Sequence, residues 1–347
     1  MQRRAIYVDH THCGRHVTGI ERITLELFSR EALAPLTVTP IAAASRAAMM
    51  AAQTCRLPWR AARDRTALFL TPGFPPSPAL TLFGARVLPY IHDLFLITRP
   101  QDLNARAKAY MARPFRFAVR RLPRFLVNSE HTSRELARFC RAGAEITLYR
   151  PQVRDVFGLA GSPCGRAREK GALRLIALGT VEPRKNLRAA AAVLAALRAG
   201  AFPRATLDIC GRDGWGEDAA ALERAPGVTL HGYQPVARIR ELTAAADAFI
   251  TTAHDEGLGL PLLEAQYAGL PVIAPDRPVF REVLAQSGVL IDAADSGAAA
   301  ARITAYVSAA DWRARAAAEA EENLARWNGA AARDHGAVIA LLTRLSG

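Results

Sequence analysis

The stretch that decides the fold is residues 248–264, AFITTAHDEGLGLPLLE. Its first part, Ala248–Thr251, is a short apolar run typical of a buried strand. Glycines 257 and 259 permit a tight turn that brings the backbone close to a ligand. Pro261 suits the start of a helix, where its missing N–H is not needed. The stretch therefore predicts a strand, a tight turn and a helix whose free N–H groups suit an anion such as a diphosphate.

Similar strand-like runs alternate with Ala- and Leu-rich helical runs on both sides of this stretch. Near-continuous apolar strands that alternate with helices predict parallel sheets covered on both faces, which is the doubly wound α/β architecture. Ligands bind such sheets at the carboxyl ends of the strands. The predicted strands are Ala5–Val8, Thr37–Ile41, Ala67–Leu70, Arg86–Ile91, Phe125–Asn128, Glu145–Tyr149, Leu173–Leu178, Thr206–Cys210, Val228–His231, Ala248–Thr251, Pro271–Ala274 and Val289–Ile291. The predicted helices include Gly19–Glu31, Asn104–Arg121, His131–Arg141, Leu187–Ala199, Pro235–Ala246, Pro261–Ala268 and Val279–Gln286.

The alternation stops once, at Gly158–Gly171, where glycine, proline, serine and charged residues cluster without apolar periodicity. This composition is typical of a linker. We therefore expect a first domain at 1–157, a linker at 158–171 and a second domain at 172–328. Two such domains would leave a cleft between them where a ligand can bind.

The end of the chain is helical in character. Asp311–Leu345 predicts two long helices that are broken near Asn328 and Gly329. Residues 329–347 would then form a separate C-terminal helix.

The two carboxylates of the opening stretch differ in position. Glu264 lies one turn inside the predicted helix, where it could accept hydrogen bonds from the paired hydroxyls of a ribose. Glu256 lies in the loop before the helix, further along the ligand and near a sugar. The alternative is a helix-capping loop with two solvated carboxylates.

Two further segments follow predicted strands. Arg184 and Lys185, within the segment Gly179–Asn186, place adjacent cations at a strand-to-helix turn, where they can neutralise a diphosphate leaving group. The alternative for them is an exposed basic loop. His92 and Asp93 end a strand of the first domain, and this histidine would face the cleft, or would be structural.

The chain is strongly basic, with a net charge of +13 and a pI of about 10.3. This balance favours anionic partners, although a compositional excess of arginine explains it equally well. Arg106, Arg113 and Arg120 are seven residues apart and share a helical face, which could bind an anionic membrane or be a solvated face. Pro114 would kink or split that helix.

The cysteines and histidines of the sequence indicate its cellular compartment and its possible metal sites. The five cysteines are scattered and odd in number, which favours a reduced, cytoplasmic protein, and no apolar stretch is long enough to predict a membrane span. The first apolar run is too short for a signal peptide. A metal site is one interpretation of His10, His12, Cys13 and His16, but a loop that lines the cleft is favoured, because no partner cluster is visible elsewhere.

These segments together resemble glycosyltransferase family 4, the retaining enzymes with the GT-B fold of two Rossmann-like domains that face across a cleft. Glu256 and Glu264, with seven residues between them, match the family's glutamate motif, and Gly179–Asn186 resembles its phosphate-binding segment. Within the family, the chain looks most like a bacterial mannosyltransferase-like branch. Other segments that resemble the family are Gly211–Trp215, His231–Tyr233, Thr18–Arg22, His92–Asp93 and Asn128–Glu130.

The resemblance implies roles for the matching residues. Glu264 would bind the donor ribose, Arg184 and Lys185 would hold the diphosphate, Glu256 would contact the donor sugar, and His92 would contact that sugar from the first domain. The residues so assigned to catalysis are His92, Arg184, Lys185 and Glu256. Those assigned to donor binding are Gly19, Gly179, Arg184, Lys185, Gly211, Tyr233, Gly257, Leu258, Gly259, Leu260 and Glu264.

Two positions depart from the family's pattern. Gly19 alone represents a glycine pair that is often seen near the amino terminus, and Leu258 stands where the family often has Phe. The resemblance also implies that the C-terminal helix, 329–347, crosses back onto the first domain.

The resemblance implies transfer of a hexose from a nucleotide sugar, with GDP-mannose favoured, to a glycan or lipid-linked acceptor in bacterial surface polysaccharide, lipopolysaccharide or glycolipid synthesis. It implies no metal and no further cofactor, and a cytoplasmic location that is peripheral on the inner face of the membrane. The alternatives are an inactive scaffold of the same fold, a nucleotide-sugar epimerase and a basic nucleic-acid-binding protein. No recognised nucleic-acid module supports the last of these, and we expect no nucleic-acid partner.

Overall fold

The computed structural model describes residues 4–14, 19–103, 105–160 and 169–347. The chain divides into two compact units. The first unit contains residues 1–152 and 329–347, and the second contains residues 153–328. Most of the predicted linker, residues 161–168, lies outside the described residues.

The first unit is built on a six-stranded parallel sheet with the strand order β2-β1-β3-β4-β5-β6. In its register Ile6 lies opposite both Val38 and Leu68. Most residues of these strands are buried, because helices cover both faces of the sheet. The strands are β1 (Ile6–Asp9), β2 (Val38–Ile41), β3 (Leu68–Thr71), β4 (Val87–Ile91), β5 (Arg124–Val127) and β6 (Glu145–Leu148).

Helices of the first unit fill the connections between these strands. Those after β2, β3 and β4 contribute to one buried cluster, in which Leu57, Leu80 and Phe115 pack with Phe69 and Phe125 of the sheet. These helices therefore cover the same face of the sheet. The helices are α1 (Gly19–Phe28), α2 (Arg46–Ala51), α3 (Leu57–Arg63), α4 (Pro78–Thr81), α5 (Phe95–Thr98), α6 (Ala105–Tyr110), α7 (Ala112–Arg121) and α8 (Glu130–Ala137), and Ala52–Arg56 forms a π-helical turn between α2 and α3.

The second unit is built on another six-stranded parallel sheet with the strand order β12-β11-β10-β7-β8-β9. The chain adds β8 and β9 on one side of β7 and then returns to add β10 on the other side. The boundary between β7 and β10 is therefore the topological switch point, where ligands bind in open α/β sheets. The strands are β7 (Arg174–Leu178), β8 (Thr206–Cys210), β9 (Val228–Gly232), β10 (Ala248–Ile250), β11 (Val272–Pro275) and β12 (Gly288–Ile291).

Helices of the second unit pack on both faces of this sheet. Val193, Leu197, Ile303 and Val307, from two of the helices, join one buried cluster with strand residues such as Leu207. The helices are α9 (Leu187–Ala199), α10 (Asp218–Glu223), α11 (Val236–Ala245), α12 (Leu260–Gln266), α13 (Pro278–Leu284), α14 (Ser296–Ser308) and α15 (Trp312–Ser346), and Pro183–Lys185 forms a 3₁₀ turn.

The strand predictions are confirmed. Each predicted strand is present with its ends shifted by at most one residue. The reason is that strands buried on both faces are short continuous apolar runs, which turn residues interrupt clearly.

The prediction of two C-terminal helices is wrong. A single helix, α15, runs from Trp312 to Ser346 through Asn328 and Gly329. The Asn328 amide does not end the helix, because it bonds to the backbone of Val153: its Oδ1 accepts from the N–H at 2.8 Å and its Nδ2 donates to the carbonyl at 3.1 Å. Trp327 is fully buried, and this burial outweighs the cost of about 1 kcal/mol for one helical glycine.

The predicted helix Asn104–Arg121 is divided. It consists of α6 and α7, which separate at Met111, and Asn104 lies outside the described residues. Pro114 lies in the first turn of α7, where the missing N–H has no intrahelical partner to lose. The division therefore precedes the proline. Within the described residues, no helix is both long enough and apolar enough to cross a membrane.

Candidate functional site

A cluster of charged side chains lies at the switch point of the second unit. It is formed by the loop after β7, which contains Arg184 and Lys185, and the loop after β10, which contains Glu256. Arg184 Nη1 donates to Glu256 Oε2 at 2.8 Å, and Lys185 Nζ donates to Glu256 Oε1. Arg184 Nη2 also donates to Glu182 Oε1 at 2.6 Å. Two cations and two carboxylates thus form one connected network.

Glu256 is the centre of this network. Its side chain is buried, and it is not the solvated carboxylate of the alternative interpretation. Burial by itself raises the pKa of the Glu256 carboxyl, but the charges and hydrogen bonds of Lys185 and Arg184 outweigh burial and hold this pKa below its ordinary value. Glu256 is therefore ionised at neutral pH, and it fixes the positions of both cations.

Backbone contacts join the two loops. The N–H of His254 donates to the carbonyl of Arg184 at 2.9 Å. The hydroxyl of Thr252 donates to the carbonyl of Asn186 at 2.7 Å. Asn186 itself adopts a left-handed conformation with a φ of 49°, which turns the chain from the 3₁₀ turn into α9. These bonds hold the cations beside Glu256 although about seventy residues of sequence separate them.

The loop after β7 is also joined to the loop after β8. Gly179 donates its N–H to Cys210 O at 2.9 Å, and Val181 donates to Arg212 O at 2.9 Å. Gly179 has a φ of 139°, and a Cβ there would lie 3.3 Å from Lys185 Cε. The glycine thus lets the lysine stem lie against the backbone. Gly211, predicted in the same site, begins the loop after β8 in contact with Gly179.

The turn before α12 has the conformation that its glycines predict. Gly259 adopts a left-handed φ of 83° and precedes the first residue of the helix, Leu260. The helix therefore begins one residue before the predicted start at Pro261. Leu258 and Leu260 are buried and anchor the turn, and Gly257 lies between Glu256 and Leu258.

Glu264 is the second glutamate of the motif. It lies in α12 and is 4% exposed. It lies about one helical turn inside α12, beyond the charged cluster. Glutamate side chains are seldom buried to this extent.

A cavity of about 470 Å³ opens beside the cluster in the second unit. It lies at the carboxyl ends of β10, β11 and β12, on one side of the switch point, and Asn186 joins it from the loop after β7. The residues that line it are Asn186, Thr252, Ala253, His254, Pro275, Asp276, Arg277, Ile291, Asp292, Ala293 and Ala294.

Tyr233 lies at the other side of the switch point, after β9. Its ring is 66% exposed, and the guanidinium of Arg212 lies over it at 4.7 Å from the ring centroid. His231 in β9 bonds through Nε2 to Asp208 Oδ1 at 2.6 Å. The structure therefore places an exposed aromatic ring and a cation on the loops after β8 and β9.

The predicted site residue His92 lies in the first unit, at the carboxyl ends of the strands of its sheet. His92 follows β4, and its Nε2 lies 2.6 Å from the carbonyl oxygen of Pro72, so Nε2 bears the proton. Burial lowers the pKa of His92 to about 4, although this hydrogen bond raises it. Asn128 Nδ2 donates to the His92 carbonyl at 2.8 Å. His92 is thus a neutral imidazole whose Nδ1 is a hydrogen-bond acceptor.

The remaining predictions for the first unit concern its first loop. Gly19 is the exposed first residue of α1, whereas Thr18 and His16 lie outside the described residues. His10 Nε2 bonds to the carbonyl of Phe28 at 3.1 Å, and His12 Nε2 bonds to Thr24 Oγ1 at 3.0 Å. Over the described ranges, no three His, Cys, Asp or Glu side chains are grouped closely enough to hold a metal ion.

Sequence reasoning assigned no role to two residues of these sites, although both lie within segments that it named. Glu182 is a buried partner of Arg184, and its only sequence signal is its position two residues before that arginine. Asn128 orients the His92 backbone from the next strand, which no sequence spacing indicates. Both act through positions that only the folded sheet brings together.

Comparison with known proteins identifies the family. Residues 166–323, which make up most of the second unit, match the family model described as "Glycosyl transferases group 1". O-antigen chain mannosyltransferase B of Escherichia coli is 27% identical over 252 residues, which cover 68% of this chain and 66% of that protein. The serotype-specific mannosyltransferase WbdA of Escherichia coli is 37% identical over 115 residues, or 31% of this chain and 14% of WbdA. The chain thus spans less than two thirds of the length of these relatives.

The fold agrees with this match. Sucrose-phosphate synthase from Thermosynechococcus elongatus superimposes with a TM-score of 0.73 at 15% identity, over 99% of this chain and 100% of that one. This likeness, with two parallel six-stranded α/β sheets, establishes the GT-B fold. The second unit, over residues 166–323, is therefore a domain of the group 1 glycosyltransferases, that is, of glycosyltransferase family 4, and the chain as a whole has the GT-B fold.

Proposed function

We propose that this protein transfers a hexose from a nucleotide sugar to a glycan or lipid-linked acceptor, with retention of configuration at the sugar. The observation that supports the proposal is the network of Arg184, Lys185 and Glu256 at the switch point of the second unit. In this proposal the network is the site that receives the donor's diphosphate.

The proposed chemistry depends on charge. When the sugar–phosphate bond breaks, negative charge develops on the diphosphate oxygens. Arg184 and Lys185 bring two positive charges to these oxygens, and Lys185 acts as a compact point charge. Donors that are already positioned stabilise this charge without reorganisation, which is the main contribution that a protein can make to such a reaction.

Glu256 has a positioning role in this proposal. Both cations bond to its two oxygens, so neither is free to adopt other rotamers. Lys185 Nζ has three N–H groups and donates to Glu256 Oε1 with one of them, so it can also donate to phosphate. The departing diphosphate then accepts the proton of the acceptor hydroxyl on the same face of the sugar, which gives retention.

The remaining residues are proposed to bind the rest of the donor. Glu264 accepts hydrogen bonds from the ribose hydroxyls, and Tyr233 and Gly211 lie beside the nucleotide. The backbone of residues 257–260 contacts the phosphate and sugar. His92 and Gly19 of the first unit are proposed to contact the sugar and the acceptor side.

The proposed donor is a GDP-linked sugar, with mannose favoured. The support is the similarity to two mannosyltransferases, one of which is described as acting on the O-antigen chain. We infer an acceptor in bacterial surface polysaccharide, lipopolysaccharide or glycolipid assembly. A cytoplasmic enzyme, peripheral on the inner face of the membrane, is part of the proposal.

A nucleotide-binding experiment tests the donor site. GDP, UDP, dTDP and ADP are titrated into the protein and into Glu264→Gln, with binding followed by ligand-observed NMR. The matched control is Glu223→Gln, since Glu223 is an exposed glutamate of α10 in the same unit. We expect GDP to bind selectively, Glu264→Gln to weaken it about tenfold or more, and the control to match the unmodified protein.

Other outcomes of this experiment contradict parts of the proposal. Selective binding of another nucleotide refutes the GDP assignment but retains the site. Absence of binding to folded protein would refute the donor site and favour an inactive scaffold. With a binding donor, the anomeric configuration of the product by ¹H NMR then tests retention.

A further inference from the structure

The positive charge of this chain is concentrated in one segment. Residues 32–128 contain fourteen Lys and Arg and three Asp and Glu, so they hold +11 of the net charge of +13. The other 250 residues of the 347 are close to neutral. Lys and Arg are about as frequent in this segment as elsewhere, and the excess charge arises because only three of the chain's 32 acidic residues lie here. The basic side chains of this segment therefore have few carboxylates to neutralise them, which leaves a positively charged surface.

The arginines of α7 form a single stripe. Arg113, Arg116, Arg120 and Arg121 are exposed, and Phe117, which is 37% exposed, lies among them. Their spacing of three and four residues places all five on one side of the helix. The opposite side, with Phe115 and Val119, is buried in the cluster on the sheet. The stripe therefore faces outward from the first unit.

A second stripe lies on α3 and the π-helical turn before it. Arg56, Trp59 and Arg63 are exposed at spacings of three and four residues, and Trp59 is 60% exposed. The guanidinium of Arg63 lies over the Trp59 ring, 5.5 Å from its centroid. Leu57 and Ala61, on the inner side, join the same buried cluster as α7.

The two stripes belong to one surface. The short helix α4 packs against both α3 and α7. Leu82, directly after α4, is 60% exposed. We call the whole surface the arginine face, and it consists of Arg56, Trp59, Arg63, Leu82, Arg113, Arg116, Phe117, Arg120 and Arg121.

The arginines of this face lack acidic partners within the part of the chain that the structure describes. Among the residues that the structure describes, none of Arg56, Arg63, Arg113, Arg116 and Arg120 forms an ion pair with a carboxylate. Other arginines of the same segment do have partners: Arg99 pairs with Asp102, and Arg124 pairs with Glu145. The charge of the arginine face is thus available to an anionic partner outside the chain.

We propose that the arginine face binds the surface of a bilayer that contains anionic phospholipids. Arginines alone would suit any polyanion, but here they alternate with exposed Trp, Phe and Leu side chains. Such a mixture suits the bilayer interface, where cations meet lipid phosphates and aromatic or aliphatic side chains enter the boundary with the acyl chains. Arg63 lies over the Trp59 ring, so this pair can bring a cation to the lipid phosphates and an aromatic ring to the boundary with the acyl chains.

Vesicle flotation tests this proposal on the full chain. Vesicles of phosphatidylglycerol and phosphatidylcholine are compared with pure phosphatidylcholine, at low and at high salt. We expect binding to the phosphatidylglycerol vesicles at low salt that is lost at high salt. The variant R113Q/R116Q/R120Q should weaken the binding about tenfold or more. The matched control R224Q/R302Q/R333Q removes three exposed arginines from elsewhere and should change it less than about twofold.

Trp59 supplies a second readout. In a W215F background, which removes the other exposed tryptophan, brominated acyl chains should quench its emission when the protein binds vesicles. The proposal is wrong if phosphatidylglycerol vesicles do not bind at low salt, or if both triple variants lose binding equally. It is also wrong if duplex DNA binds as tightly and Trp59 is not quenched, because the face is then a general polyanion site. Nucleotide binding by the second unit is measured separately, so failure here is distinguishable from failure of the proposed transfer.

Discussion

A Cβ placed on Gly211 would lie 1.7 Å from the carbonyl oxygen of Gly179. The loops after β7 and β8 therefore touch backbone to backbone, at the base of the loop that contains Arg184 and Lys185. A side chain at position 211 would displace one of the two loops. The position of Arg184 and Lys185 therefore depends on Gly211, which has no Cβ.

Gly211→Ala is expected to lower the free energy of unfolding by about 2–4 kcal/mol, because the contact is with backbone and cannot be relieved by a rotamer change. The control is Gly336→Ala in α15, where a Cβ meets no atom within 4 Å. That change should be neutral or stabilise by up to about 1 kcal/mol. Urea unfolding measures both, and equal stability of the two variants would contradict the close approach.

Glu256→Gln is expected to lower the free energy of unfolding at pH 7 by about 1–3 kcal/mol, since two partly buried hydrogen-bonded cations lose the carboxylate that they share. The folded-state pKa of Glu256 lies below its ordinary value of 4.5. Its contribution is therefore fully present above about pH 4.5 and is lost as the pH falls through the folded-state pKa. Urea unfolding at pH 7 and in acid should show the difference between the variant and the unmodified protein shrinking in acid. A constant difference, or a similar one in Glu223→Gln, would argue against this ion-pair network.

Lys185→Ala and Arg184→Ala are each expected to lower kcat/KM for sugar transfer about 10²–10³-fold, if the proposed diphosphate contacts are made in the transition state. Arg188→Ala is the matched control, because Arg188 follows closely in α9 and its side chain is 64% exposed. It should retain activity within about twofold. Steady-state kinetics with the donor that the binding experiment identifies decides the matter, with circular dichroism to establish folding. Near-normal transfer by a folded double variant would remove both residues from the mechanism.

His92 is expected to remain neutral, with its proton on Nε2, down to about pH 4. Its folded-state pKa lies below the unfolded value of about 6.5. The unfolded chain therefore binds more protons between these values, and stability falls as the pH is lowered from about 6.5 to 4. Titration of the ¹⁵N chemical shifts of the imidazole measures the pKa and the tautomer directly. A titration near pH 6.5, or a proton on Nδ1, would contradict the buried contact with Pro72.

The sequence was sufficient for most of the architecture, because strands buried on both faces are continuous apolar runs with clear ends. It was insufficient for Arg46–Arg63, a helical stretch that no prediction included. This stretch has one buried side, but its Ala, Met and Arg residues lack a regular apolar period. It also failed at Asn328 and Gly329, where local preference for a helix end is overridden by packing of Trp327 and by bonds to Val153.

The candidate site was predictable in its parts and not in its connections. The loops that contain Arg184 and Glu256 were both recognised, since each follows a strand and has an unusual local composition. That one carboxylate joins both cations follows from the placement of β7 beside β10, which depends on the whole sheet. Glu182 had no distinct signal in the sequence, because its ion pair with Arg184 depends on the 3₁₀ turn Pro183–Lys185.

The four side chains of this network, Glu182, Arg184, Lys185 and Glu256, sum to zero formal charge. A site of this kind exerts little long-range attraction on anions, since the fields of opposite charges a few ångströms apart largely cancel at distances much greater than their separation. Inorganic phosphate, with no ribose or sugar to add contacts, would gain little by displacing a carboxylate from its partners. If this network is the donor site that we propose, its neutrality would favour ligands that are held at both ends over the many small anions of a cell, and selectivity would arise from self-compensation of charge.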